Sequence, residues 1–296
     1  MISKLLWSFS ILAFLYSLQL SVPYLQQPLA ATITELIFVL VAILVIRWAD
    51  AYEPEDDSTK IWAVLWGAGP AFTIAWTIYA ILGNIQVGNF AVGIIEELSK
   101  ATVVIIALRA KLIHSWTDGF VYGALCGLGF SFSEDLLYAS TVETEVEMII
   151  YRGFVSIFAH SIFTGVIGAL IVHARQSRKA SLFIASIIPG ALVHAGWNSL
   201  AENLDDSSFS VMALIAPSTF VVIALFLRDI ERKSLVFAAN NQFILGRISE
   251  DTFLLVTNLR HRKKQRKRVP SKVEKLNFDL YVKTACRSLL DDDRLR

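Results

Sequence analysis

The chain divides into eight stretches of about 20 mostly apolar residues, at roughly 4–22, 30–49, 61–83, 88–108, 117–140, 151–173, 181–201 and 209–227. A helix of about 20 apolar residues covers the roughly 30 Å of bilayer hydrocarbon. Backbone N–H and C=O groups find no water there, so each stretch must pair them internally, as a helix does. Composition agrees, with 55% hydrophobic and 18% charged residues, against about 45–50% and about 25% in soluble domains. A disordered chain, a disulfide framework and a water-soluble enzyme with one ordinary core are excluded. The expected fold class is an all-α polytopic membrane protein. Cys126 and Cys286 suggest neither a disulfide nor a metal-ligand spacing. The first stretch, with Lys4 ahead of Leu5 to Val22, reads as an uncleaved span: it is long for a signal peptide and lacks a small-residue cleavage site.

Basic residues in the short loops set the orientation. One side collects eight of them: Lys4, Arg47, Lys60, Arg109, Lys111, Arg175, Arg178 and Lys179. The other has only Arg152, and the acids Glu143, Glu145, Glu147, Glu202, Asp205 and Asp206 fall on that side. Both termini are therefore expected in the cytoplasm, and the plasma membrane is the expected location. Residues 1–227 form the expected transmembrane domain, with its core at about 88–201. Residues 228–296 form a basic, partly helical cytosolic tail with 17 Lys or Arg against 9 Asp or Glu, a formal +8. That tail reads as a solvated basic stretch or as a contact for anionic lipid. Nucleic acid is not expected, since interleaved aromatics are absent. Val282, Ala285 and Leu289 recur at helical spacing near its end.

The fourth to seventh stretches carry residues that lipid does not tolerate. They hold Glu96, Glu97 and Lys100, then Glu134 and Asp135, then His160 with Thr164, then His194 with Asn198. An ionised side chain at mid-membrane costs about 2.5–3.5 kcal/mol, so four unpaired carboxylates would cost roughly 10–14 kcal/mol. Internal salt bridges fall short on this count, because Lys100 is the one base placed deep within these stretches. Glu96, Glu97, Glu134, His160 and His194 lie about 6–9 residues from the outer ends of their spans, a common layer roughly 9–14 Å deep. Gly119, Gly123 and Gly127 are two overlapping GxxxG steps that favour close helix packing. Pro189 precedes His194 and is expected to kink the seventh helix. Pro70 and Pro217 read as ordinary kinks, and Glu35 is near enough to the outer interface to be set aside.

Adjacent carboxylates in low dielectric suit a general base that activates water, and imidazoles opposite suit stabilisation of an oxyanion or protonation of a leaving amine. Glu97, Glu134, His160 and His194 are also acceptable metal ligands, with zinc as the candidate. Both mechanisms stay open. HExxH, GxSxG and an intramembrane pair of catalytic aspartates are absent.

Glu96-Glu97-x-x-Lys100, Gly129-Phe130-x-x-x-Glu134-Asp135, His160-x-x-Phe163-Thr164-x-x-x-Gly168 and His194-x-x-x-Asn198 together resemble the ordered motifs of PrsW-type intramembrane proteases. The wider group includes CAAX prenyl endopeptidases and the APH-1 subunit of gamma-secretase. The resemblance implies a membrane-embedded endopeptidase with Glu96, Glu97, Glu134, His160 and His194 as catalytic residues, supported by Lys100, Asp135, Thr164 and Asn198. Its implied substrate is a membrane-anchored protein, cut near the outer boundary, as in site-1 cleavage of an anti-sigma factor. Asp135 stands where that family leads one to expect Asn. A cation or proton transporter and an inert APH-1-like scaffold are the alternatives.

Overall fold

The computed structural model describes residues 2–21, 28–83, 85, 87–141, 146–177, 180–202 and 206–294. It is 88% helical, with no strand among the described residues, which makes it all-α. In order come α1 (Lys4–Ser21), α2 (Pro28–Ala49), α3 (Asp57–Trp66), a π-helical turn (Gly67–Ala71), α4 (Phe72–Leu82), α5 (Asn89–Arg109), α6 (Trp116–Thr141) and α7 (Val146–Gln176). Then follow α8 (Ala180–Ala185), α9 (Ile187–Glu202), α10 (Asp206–Ile244), α11 (Glu250–Thr257), α12 (Leu259–Arg268) and α13 (Lys272–Arg294).

Each apolar stretch falls on a helix or a pair of joined helices. Among the described residues, five segments are long and apolar enough to cross a membrane: Lys4–Ser21, Thr32–Ala49, Asp57–Leu82, Ile150–Gln176 and Val211–Ile244. The four stretches with polar residues fall on α5, α6, α7 and the α8–α9 pair. Arg178, Lys179, Glu143, Glu145 and Asp205 of the charge pattern lie outside the described residues. Two compact units are distinguished, Met1–Val45 with Asp56–Val222, and Ile46–Glu55 with Ile223–Arg296.

Small residues bring the helices of the first unit together. A Cβ at Gly127 would lie 2.2 Å from the His160 carbonyl oxygen, and one at Gly123 would lie 2.3 Å from that of Thr164. The glycine stripe of α6 thus packs directly on the polar stripe of α7, the backbone approach that small residues permit in lipid. Gly93 of α5 meets the Ala191 carbonyl of α9 in the same way, 2.6 Å from a built Cβ.

Pro70 produces a π turn. The Phe72 N–H reaches back to the Gly67 carbonyl, which frees the Ala68 carbonyl to accept from Ser17 Oγ at 2.9 Å and Ser133 Oγ at 2.6 Å. This anchors α1 and α6 one residue before Glu134. The α8–α9 break falls at Ser186, ahead of Pro189. A proline ring clashes with the carbonyl four residues back, so α8 stops at Ala185 and His194 rides on a separate helix.

The second unit closes around Tyr52, Leu235, Ala239, Val256, Val282, Cys286 and Leu289. The Arg262 guanidinium donates to the carbonyls of Ala51, Tyr52, Leu255 and Val256, covering the end of α11. Arg287 bridges Glu53 and Glu55, each at 2.9 Å. Burial pushes the Cys286 thiol up to about 12.

Candidate active site

Lys100 organises the centre from α5, where it is fully buried. An ammonium has three N–H donors and no acceptor. All three are used: on Glu96 Oε2 at 3.1 Å, Glu97 Oε1 at 2.9 Å and His160 Nδ1 at 2.9 Å. The Phe130 ring lies 4.0 Å from the same nitrogen, which accounts for an aromatic residue four positions before Glu134. The i, i+3 and i, i+4 spacings place both glutamates on the lysine's face of the helix.

Glu97 is sealed. Its Oε1 accepts from Lys100 and from His194 Nδ1 at 3.0 Å, and its Oε2 accepts from Thr164 Oγ1 at 2.7 Å. It is 0% exposed. Glu96 instead borders a cavity of about 750 Å³ together with Tyr79, Glu134, Arg152, His160 and Asn198. Tyr79 donates its hydroxyl to Glu96 Oε1 at 3.2 Å. Glu134, on α6, faces His160 Nε2 at 3.0 Å. Asn198 lines the same cavity one turn after His194.

These contacts assign opposite proton patterns to the two histidines. Lys100 can only donate, so His160 Nδ1 accepts and the proton sits on Nε2, facing Glu134. The Glu97 carboxylate can only accept, so His194 carries its proton on Nδ1. His194 Nε2 is then a free lone pair, 3.6 Å from Glu96 Oε2. The rings lie 4.9 Å apart, edge to face, and Phe163 stacks on His194 at 5.2 Å. That stacking explains the Phe of the third motif.

Asp135 points away from this cluster. Its Oδ1 lies 2.6 Å from Arg152 Nε, and its Oδ2 accepts from Ser131 Oγ at 2.9 Å. Arg152 also approaches Glu134 at 3.7 Å and stacks on the Tyr138 ring at 3.7 Å. The sequence count of cations is therefore corrected: a second permanent charge joins Lys100, because Arg152, nearly two turns into α7, extends its guanidinium to Asp135 and Glu134. The acid at the expected Asn position is balanced by this base. Sequence reading also passed over Tyr79, whose hydroxyl is hidden in the apolar run Trp76 to Leu82. Glu35 is buried within the protein. It is 1% exposed and packs on α7 at Gly153, where a Cβ would lie 2.1 Å from its Oε1. Neither of its carboxylate oxygens has a hydrogen-bond partner among the described residues.

Glu96, His160 and His194 each offer a ligand atom within 4.8 Å of the other two. One carboxylate and two imidazoles fit a zinc-type donor set. Glu97 behind His194 Nδ1 matches the carboxylate–histidine arrangement common behind metal ligands. For His160 to offer Nε2 as a neutral imidazole, its proton would move to Nδ1, and the Lys100 ammonium could no longer donate there. Of the four ligand candidates read from sequence, His160 and His194 belong to this trio, while Glu97 stands behind it as the hydrogen-bond partner of His194 and Glu134 lies 3.0 Å from His160 Nε2.

A family profile described as PrsW family intramembrane metalloprotease matches residues 55–227. No curated protein and no solved structure matches the chain. The matched stretch exceeds half of the chain and contains every residue of the cluster, from Tyr79 to Asn198. The chain belongs to the PrsW family of intramembrane metalloproteases.

Proposed function

We propose that this intramembrane protease cuts a membrane-anchored protein near the outer face of the membrane, with Glu96 as the base that activates water. The supporting observation is the contrast within the glutamate pair: Glu96 borders the cavity, whereas Glu97 is enclosed by Lys100, His194 and Thr164. A water in the cavity beside Glu96 gives up a proton to its carboxylate as the oxygen attacks the scissile carbonyl. The Tyr79 hydroxyl and the Asn198 amide line the space where negative charge develops on the carbonyl oxygen, and the His160 Nε2–H, shared with Glu134, borders it. Glu96 then returns that proton to the leaving amine as the C–N bond breaks, with His194 Nε2 behind it, 3.6 Å from Glu96 Oε2. Glu134 orients His160, and Lys100 holds Glu96, Glu97 and His160 in register. A metal held by Glu96, His160 and His194 would supply Lewis-acid polarisation of water or carbonyl.

The aromatic wall of the cavity, with Phe72, Trp76, Tyr138 and Trp197, suits an apolar segment of an unwound transmembrane helix. The loop charges support a reading with both termini in the cytoplasm and the cluster in the outer half of a plasma membrane. By family analogy the substrate is a single-span regulator such as an anti-sigma factor cut at site 1.

The test compares new protein N-termini in membranes carrying wild type or Glu96→Gln at matched levels. The expected result is a set of termini, near the outward end of a substrate span, present only with wild type. An identical set of termini in both samples, under several envelope stresses, would sink the reading.

A further inference from the structure

Helix α13 is apolar on two opposite sides. Phe278, Val282, Cys286 and Leu289 face the core of the second unit. At 100° per residue, Val273, Leu276 and Leu280 form a second stripe on the other side. They are 68%, 68% and 61% exposed. Beside it lies α12, which has no buried residue. Arg266 grips Asp279 of α13 through two nitrogens, at 2.7–2.9 Å, and so fixes the basic helix against the two-sided one. Arg260, Lys263, Lys264 and Lys267 have no acidic partner among the described residues.

An apolar stripe next to an unneutralised basic helix is costly to leave in water. The partner that meets both needs is a bilayer surface with anionic headgroups. Phosphates take the Lys and Arg charges, while the acyl boundary takes the Val and Leu side chains. A polyanion such as RNA would answer the charge and leave the stripe wet. The unit is joined by chain to apolar spans, so a bilayer surface is always within reach. We propose that α12 and α13 form a docking surface for anionic lipid.

The experiment uses the full chain in nanodiscs. Asn277, exposed between Val273 and Leu280 on the outer side of α13, is replaced by Cys and labelled with an environment-sensitive fluorophore. The native Cys126 and Cys286 are buried. Emission should shift to the blue in phosphatidylglycerol-containing discs relative to phosphatidylcholine discs. In K263Q/K264Q/K267Q the ratio of docked to free unit should fall about fivefold per charge removed, and the shift should be lost. L276N/L280N should likewise lose it. Equal spectra in the two lipids would overturn the proposal, as would a shift that survives either variant. A shift produced by added RNA but not by anionic discs would also overturn it.

Discussion

Glu96 and Glu97 are neighbours on one helix, yet they belong to regions of opposite character. Around Glu97 every group is buried and answered: Lys100, Thr164 and His194 Nδ1 all donate to it. Around Glu96 the groups border open space, with Tyr79, Glu134, His160 and Asn198 along the same wall. An acid buried with all its partners is architecture, because removing it leaves charges without compensation. An acid at a cavity wall keeps lone pairs free for a substrate or a water. A rotation of about 100° between consecutive helical residues is enough to separate these roles.

The largest effects should come from the pair itself. Glu96→Gln should cost about 10²–10⁴-fold in cleavage, the usual worth of a general base, and about 1 kcal/mol or less of stability. Glu97→Gln should also abolish cleavage, but through structure, costing about 3–5 kcal/mol because Lys100 and His194 lose a buried partner. Thermal unfolding in detergent, read beside a cleavage assay, separates the two. If Glu97→Gln keeps wild-type stability, the division between sealed and open regions is wrong.

Tyr79→Phe probes the open wall. Loss of one donor to a developing oxyanion costs about 10²-fold in kcat, with KM and unfolding close to wild type. Were KM to rise with kcat unchanged, Tyr79 would belong to substrate binding and not to the chemical step.

Much of this arrangement is legible in the chain. The eight apolar stretches announce the helices, and the common depth of Glu96, Glu97, Glu134, His160 and His194 announces a single site. Which glutamate faces the cavity is not legible, since that depends on the positions of α7 and α9 around α5. Tyr79 escapes notice because a tyrosine in Trp-Thr-Ile-Tyr-Ala-Ile-Leu reads as one more apolar residue until its hydroxyl finds an acid. Arg152 is read as a loop charge because it stands at the start of the sixth apolar stretch, while its guanidinium extends to Asp135 and Glu134. Residues past 227 pass for the start of a tail because hydropathy falls at Arg228-Asp229. Helix α10 nevertheless runs on to Ile244, since Arg, Glu and Lys are good helix formers.

Arg152 carries the comparison to the far side of the cavity, where Asp135 is sealed and Glu134 is open. Arg152→Gln should leave Asp135 buried without its base, and the double variant Asp135→Asn/Arg152→Gln should recover part of the loss. A coupling of about 0.5–3 kcal/mol is expected in a double-mutant cycle of unfolding. Additive effects would show that the pair is not a unit.

The smallest effect concerns an exposed acid outside both regions. Ser271 and Glu274 form a capping box at the start of α13: the Ser271 N–H donates to Glu274 Oε2 at 3.1 Å, and the Glu274 N–H donates to Ser271 Oγ at 3.1 Å. Bonds from the serine hydroxyl and backbone hold the Glu274 carboxyl below its usual range. A depressed carboxyl favours the folded helix end above the unfolded value, near pH 4.3, and that contribution disappears as pH falls through the lowered one. Amides of Lys275 to Phe278 should therefore exchange faster on acidification, once corrected for intrinsic rates, while those around Glu97 stay protected. Ser271→Ala should raise exchange at neutral pH and flatten the acid dependence. An unchanged acid profile in that variant would detach the fraying from the capping box. It would leave the sealed acid of α5 as the better model for how carboxylates hold this protein together.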